Sequence, residues 1–170
     1  MIAKAGRSAF DAQPSQVDAR ILIIEGRYYE AIADALLEGA EAELAAAGAK
    51  AERIVVPGAL EIPQALAQMV AAGHVSTSDP AARFHGVIAL GCVIRGETSH
   101  YDIVVNNANH WMMDVAIRNC VPVGNAILTV DTEAQAMARA TGGREGKGGD
   151  AARACLRLIE LARSHQGSRA

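Results

Sequence analysis

Val87-Ile88-Ala89-Leu90-Gly91-Cys92-Val93-Ile94-Arg95-Gly96-Glu97-Thr98-Ser99-His100 is the stretch on which the fold turns. It opens as an apolar run without alternation, the pattern of a strand buried on both faces. It then breaks into a polar, glycine-containing turn and leads into a long predicted helix over 99–118. A buried strand, a turn and a helix in that order make half of a βαβ unit, and such units build parallel sheets.

The same order repeats on either side. Upstream, Ile21-Leu22-Ile23-Ile24 reads as a first buried strand, and Ile32, Leu36, Ala40, Leu44 and Ala47 follow at helical spacing. Gly48 stands where a helix C-cap belongs. Ile54-Val55-Val56 is a second strand stopped by Pro57-Gly58, and Ile62, Leu66, Met69 and Val70 mark a second helix. Residues 73–83, with Ser76, Thr77, Ser78, Asp79 and Pro80, read as a loop. Downstream, Pro122-Val123 leads into a fourth strand through Ile127-Leu128-Thr129-Val130. Helices over 133–140 and 149–164 follow, separated by the glycine-rich stretch 142–149. The expected fold is α/β, a three-layer flavodoxin-like arrangement with a four-stranded parallel sheet covered by helices on both faces. Residues 19–170 form one domain in this reading, and residues 1–18, of mixed polarity and no clear period, form an N-terminal arm.

Composition narrows the class. With 170 residues, 51% of them hydrophobic, the chain is long enough for one well-buried domain. A net charge of −3 leaves no basic excess to neutralise phosphates, so nucleic acid is not expected as a partner. No run approaches the roughly 20 apolar residues of a membrane helix. Cys92, Cys120 and Cys155 form no C-x-x-C pair and are odd in number, which points away from a disulfide framework and toward a reducing cytoplasm.

Ligands of an open parallel sheet bind beyond the carboxyl ends of its strands. Three segments fall there: Gly26-Arg27-Tyr28-Tyr29, Pro57-Gly58-Ala59-Leu60-Glu61-Ile62-Pro63, and the opening stretch from Gly91 to His100. In the last, Gly96 followed by Thr98-Ser99 at a helix start offers backbone N–H groups and hydroxyls to an anion. Ser99 with Asp102 equally fits a capping box, in which case the turn is only a well-capped helix start. His100 follows at once, and an imidazole titrating near pH 6.5 can move protons at neutral pH. Several other chemistries are unsupported. Residues 141–148 miss the phosphate-loop pattern, since Thr141 holds its first glycine position and Gly148 stands where Ser or Thr is required. There is no G-x-G-x-x-G after the first strand, no G-x-S-x-G elbow and no metal-ligand spacing. Acid–base chemistry on a phosphorylated small molecule remains.

At these segments the chain resembles a known family. Val56-Pro57-Gly58-Ala59-Leu60-Glu61-Ile62-Pro63 and Leu90 to Asp102 look like the two hallmark segments of the lumazine synthases. Leu36-Leu37-Glu38-Gly39-Ala40, Ile127-Leu128-Thr129 and Gly146-Lys147-Gly148 match in order, so the resemblance spans roughly residues 20 to 165. It implies condensation of 5-amino-6-(D-ribitylamino)uracil with 3,4-dihydroxy-2-butanone 4-phosphate, the penultimate step of riboflavin biosynthesis, with no metal or organic cofactor. Tyr28 takes the position of an aromatic that stacks on the uracil ring. Ala59, Leu60, Glu61, Val93 and Ile94 take those that line the uracil and ribityl pocket, with Glu61 accepting hydrogen bonds from ribityl hydroxyls. The backbone of Glu97 and Thr98 matches the phosphate site, completed by Arg139 of an adjacent subunit, and His100 matches the proton-transfer residue. Lys147 matches a lysine beside the pyrimidine carbonyl, again from a neighbour.

Two positions depart from the commonest pattern. Asn125 stands where many members carry Phe against the heterocycle at a subunit boundary; an Asn can hydrogen-bond there but cannot stack. The Gly124-Asn125 pair is similar to a type I subgroup. Trp111 replaces a usual small residue and, beside Met112 and Met113, is expected in core or subunit packing. The family implies a homo-pentamer with active sites between subunits, which some members extend to a 60-subunit shell; the stretch from Arg139 to Lys147 does not decide between them. The competing reading is a catalytically weak riboflavin- or lumazine-binding protein on the same fold.

Overall fold

The computed structural model describes residues 16–166. Four strands, β1 (Arg20–Gly26), β2 (Lys50–Val56), β3 (Gly86–Ile94) and β4 (Val123–Val130), form one sheet in the order β2-β1-β3-β4. Every pairing is parallel. The helices between them are α1 (Glu30–Ala46), α2 (Glu61–Ala71) and α3 (His100–Arg118), followed by α4 (Glu133–Ala140) and α5 (Lys147–Ser164). The three-layer α/β fold expected from the strand and helix pattern is therefore the observed one.

Alternation along β1 and β3 assigns the two faces. Ile21, Ile23, Ile88 and Leu90 point into a core closed by Leu36 and Leu44 of α1 and by Leu156 and Ile159 of α5. Leu22, Ile24, Val87 and Ala89 point the other way, against Ile62 and Leu66 of α2 and Ala108 and Met112 of α3. β1 and β3 are central and buried, which is why their sequences run apolar without alternation. β2 is an edge strand and largely exposed.

Most boundaries lie within a few residues of the expected ones. Gly48, at φ 73°, follows α1 in the left-handed conformation that its C-cap position called for. α5 begins at Lys147, two residues before the expected 149, so Lys147 opens a helix instead of ending a loop. The N-terminal arm lies, up to residue 15, outside the described residues; of the rest, Val17 is buried and its N–H donates to the Ala47 carbonyl (2.9 Å). Trp111 is half-exposed, and only Met112 of the trio Trp111-Met112-Met113 belongs to the core.

Glycines at the start of α5 set how closely it approaches α1. A Cβ on Gly148 would stand 1.9 Å from the Leu36 carbonyl oxygen and 3.0 Å from the Ala40 nitrogen, both backbone atoms that cannot step aside. Gly148→Ala is expected to destabilise the fold by about 2 kcal/mol, an overpacking penalty reduced by the better helix propensity of alanine. Urea unfolding measures it, and a variant as stable as the parent would mean that α5 docks less closely.

The glycine-rich stretch is spent on internal contacts. Glu43, buried in α1, accepts from Arg144 Nε and Arg153 Nη1, each at 2.8 Å. A buried carboxylate needs such partners. The two guanidiniums thereby fasten the turn Gly143–Glu145 and α5 to α1.

At the amino end of the sheet His85 is almost fully buried; its Nδ1 accepts from the Arg20 N–H at 3.0 Å. Burial holds the His85 pKa below its ordinary value, Arg20 and Arg163 push it the same way, and a hydrogen bond to the Pro80 backbone and the charge of Asp18 oppose them. Folded His85 therefore stays neutral where the unfolded chain takes up a proton. Its contribution is complete above about pH 6.5 and is lost as the pH falls below that value. The unfolding midpoint should drop between pH 7 and 5.5, and less steeply in His85→Gln; equal slopes would assign the loss to other groups.

Candidate active site

A cavity of about 340 Å³ opens at the carboxyl edge of the sheet, where all three segments after β1, β2 and β3 converge. Tyr28 and Tyr29 come from the turn after β1, and Gly58, Ala59, Leu60 and Glu61 from the turn into α2. β3 and the loop after it contribute Cys92, Val93, Ile94, Gly96 and Thr98, and α3 contributes His100, Tyr101 and Val104. Close backbone approach shapes one side. A Cβ on Gly26 would lie 2.9 Å from the Gly58 carbonyl carbon, so the end of β1 and the turn after β2 meet this closely because Gly26 has no side chain.

The walls differ in character. Ala59 is buried, and Val93 and Ile94 are half-buried, giving an apolar side suited to a planar ring. Tyr28 is 73% exposed and stands edge-on to Tyr29, with ring centroids 4.9 Å apart. Glu61 is the first residue of α2, where the helix dipole favours a carboxylate. Burial pushes the Cys92 thiol up to about 11 and raises the Tyr29 phenol, so both stay protonated at neutral pH and neither is a nucleophile there.

The opposite side is the loop from Arg95 to Ser99 and the start of α3. The capping box suggested by Ser99 and Asp102 is not formed. Ser99 has helical backbone angles (φ −69°, ψ −1°) and no side-chain cap, whereas a capping residue needs an extended conformation to turn its oxygen back. Its carbonyl accepts from the Asp102 N–H at 3.1 Å, and the Thr98 hydroxyl accepts a long bond from the His100 N–H at 3.4 Å. The N-terminus of α3 thus has no cap from Ser99 and a single long bond from Thr98 among the described residues, and it faces the cavity side. His100 is exposed as its first residue.

Of the residues picked from the sequence, Tyr28, Ala59, Leu60, Glu61, Val93, Ile94, Thr98 and His100 line this one cavity. Glu97, between Gly96 and Thr98, is exposed and its side chain is not part of the lining. Asn125, Arg139 and Lys147 lie elsewhere in the chain. Asn125 donates to Asn109 Oδ1 and accepts from the Ile127 N–H, each at 2.8 Å, so both ends of its amide are engaged. Arg139 donates to the Gln135 carbonyl (3.0 Å), and Lys147 pairs with Asp150 (2.8 Å). Sequence reasoning did not single out Tyr29, Cys92, Tyr101 or Val104. The signal was present: Val104 lies one helical turn after His100 and so on the same face.

No group of three or more His, Cys, Asp or Glu suited to a metal occurs among the described residues. None of the described helices is long and apolar enough to cross a membrane.

A three-layer α/β domain with an apolar cleft at the carboxyl edge of a parallel sheet, an aromatic at its mouth and a histidine at a helix start beside it defines a class: an enzyme acting on small molecules. Residues 18–163 match the family of 6,7-dimethyl-8-ribityllumazine synthases, and the chain belongs to that family. The 6,7-dimethyl-8-ribityllumazine synthase of Methylobacterium radiotolerans is 50% identical over 92% of this chain and 90% of its own length. That of Azorhizobium caulinodans is 53% identical over 85% and 87%. The 6,7-dimethyl-8-ribityllumazine synthase 1 of Rhodopseudomonas palustris is 46% identical over 95% and 97%.

Proposed function

We propose that this chain condenses 5-amino-6-(D-ribitylamino)uracil with 3,4-dihydroxy-2-butanone 4-phosphate to give 6,7-dimethyl-8-ribityllumazine, phosphate and water. The observation that carries the reading is the cavity itself, in which eight residues matching the family's substrate positions converge. The uracil lies against Ala59, Val93 and Ile94 and stacks on Tyr28, while Glu61 receives ribityl hydroxyls. The phosphate sits at the N–H groups of Glu97 and Thr98, where the helix dipole favours an anion.

The uracil's 5-amino group attacks the ketone carbon, and the carbinolamine loses water to form an imine. A proton leaves the adjacent carbon as the phosphate departs with its bonding electrons. The enol so formed takes up a proton at its terminal carbon and releases its hydroxyl proton to become a methyl ketone. The ribitylamino nitrogen then closes the ring on that new carbonyl, and a second water is lost. His100, beside the phosphate position, carries protons between these centres. Holding two substrates in contact supplies most of the acceleration, since orientation alone reaches effective molarities of about 10⁵ M or more.

Asn125, Arg139 and Lys147 act in the cavity of an adjacent copy, Arg139 as a guanidinium clamp on the phosphate. The partner is thus the chain itself, in a pentamer. Support comes from α3, which leaves Ile103, Trp111, Met113 and Ile117 exposed on a helix that buries only Ala108, Met112 and Ala116. Such a face calls for a protein partner. The three cysteines are unpaired, which accords with the reducing cytoplasm.

The test is product formation from both substrates, followed by lumazine absorbance and fluorescence. Formation above the uncatalysed background is expected. Background-level product together with tight riboflavin binding would make the chain a binding protein.

A further inference from the structure

The loop that presents the Glu97 and Thr98 donors does little to fix itself. Residues 95–100 are all exposed, Ser99 makes no side-chain cap to α3, and the bond from the His100 N–H to the Thr98 hydroxyl is long at 3.4 Å. What ties the loop down is Arg95. Its N–H donates to the Val130 carbonyl (2.9 Å) and its Nε to Asp131 Oδ1 (3.2 Å), both at the end of β4. Its Nη1 lies 3.6 Å from Asp102 Oδ1, and its guanidinium carbon lies 4.0 Å from the centre of the Tyr101 ring, both in the first turn of α3. One planar group therefore spans from the sheet to the helix across the base of the loop.

We infer that Arg95 is the positioning residue of the phosphate loop, holding the Glu97 and Thr98 donors and His100 in mutual register without itself touching phosphate. The inference rests on the function proposed above. A cation in a phosphate-binding loop invites the opposite assignment, as a direct ligand, and three observations oppose it. Two carboxylates already flank the guanidinium. Its face is occupied by Tyr101. Ile94 and Gly96 line the cavity, but Arg95 between them does not. Exposed ion pairs are individually weak. Here a fork and a stacking contact act on the same rigid plane, a combination that lysine cannot reproduce.

The two assignments predict opposite signs for Asp131→Asn. If Arg95 positions the loop, losing Asp131 loosens the clamp, and KM for the butanone phosphate rises about two- to fivefold. If Arg95 ligates phosphate, losing the competing carboxylate frees its charge, and the same KM falls. Arg95→Lys separates them again. A positioning role leaves it within about twofold of Arg95→Met, whereas a point charge binding phosphate directly would retain most of the affinity. KM for the uracil should move little in any variant, and unfolding midpoints establish that each is folded. A lowered or unchanged phosphate KM in Asp131→Asn, or rescue by lysine, overturns the assignment while wild-type turnover leaves the proposed function standing. A wild-type chain without turnover removes that function and this inference with it.

Discussion

His100→Ala is expected to slow lumazine formation by about a hundredfold, the lower end of what a positioned acid–base group contributes. The lower end applies because holding the two substrates together survives the substitution. His100 is exposed at the first position of α3, so its loss opens no cavity in the core and the unfolding midpoint should not move. Both Michaelis constants should change little, since the ring handles protons while the uracil wall and the backbone donors hold the substrates. Steady-state rates at saturating concentrations of each substrate decide the matter. An unchanged rate would pass the proton traffic to water or to the departing phosphate.

Arg139→Ala should act on binding instead. Hydrogen bonds to a charged group contribute about 1.5–3 kcal/mol, which converts to a rise of about ten- to a hundredfold in KM for the butanone phosphate. KM for the uracil should stay within about twofold, because the clamp touches only the phosphate end. Within its own chain Arg139 bonds only the Gln135 carbonyl among the described residues, so folding should be preserved. Equal effects on both constants would remove Arg139 from the phosphate site. Because the arginine serves a neighbour's cavity in this proposal, mixing the two variants adds a sharper test. After co-assembly of His100→Ala and Arg139→Ala chains in equal amounts, about a quarter of the subunit boundaries join an intact histidine to an intact arginine. At butanone phosphate concentrations well below the KM of Arg139→Ala, the mixture should turn over faster than the mean of its parts, and a mixture no better than that mean would place Arg139 outside the shared site.

The fold was legible because its decisive signals are local. Apolar runs such as Ile21-Leu22-Ile23-Ile24 report strands buried on two sides, and the helical spacing from Ile32 to Ala47 reports one amphipathic face. The half of the candidate site supplied by the strand ends was legible for a related reason: a parallel sheet brings all its carboxyl ends to one edge. What escaped were contacts between positions far apart in sequence. Nothing near Glu43 announces that Arg144 and Arg153 will reach it, and nothing near Gly148 announces that its missing side chain makes room for the Leu36 carbonyl. The Ser99 capping box failed for a subtler reason. The residue types were right, but Ser99 already lies in the helical conformation when α3 starts, so its hydroxyl cannot turn back to the first N–H groups.

The strand order carries a cost during synthesis. Ile21 in β1 pairs with Ala51 in β2 and with Gly86 in β3, and β4 then joins β3. At about 5–20 residues per second, the ribosome delivers β3 several seconds after β1. Through that interval one of the most apolar strands of the chain has only the edge strand β2 beside it. The α1 face waits longer still, since Leu156 and Ile159, which help to cover it, belong to α5. The nascent chain therefore carries its sheet half-built and its core open until α5 has been made, and through that time its apolar surface is shielded only by what the ribosome exit offers.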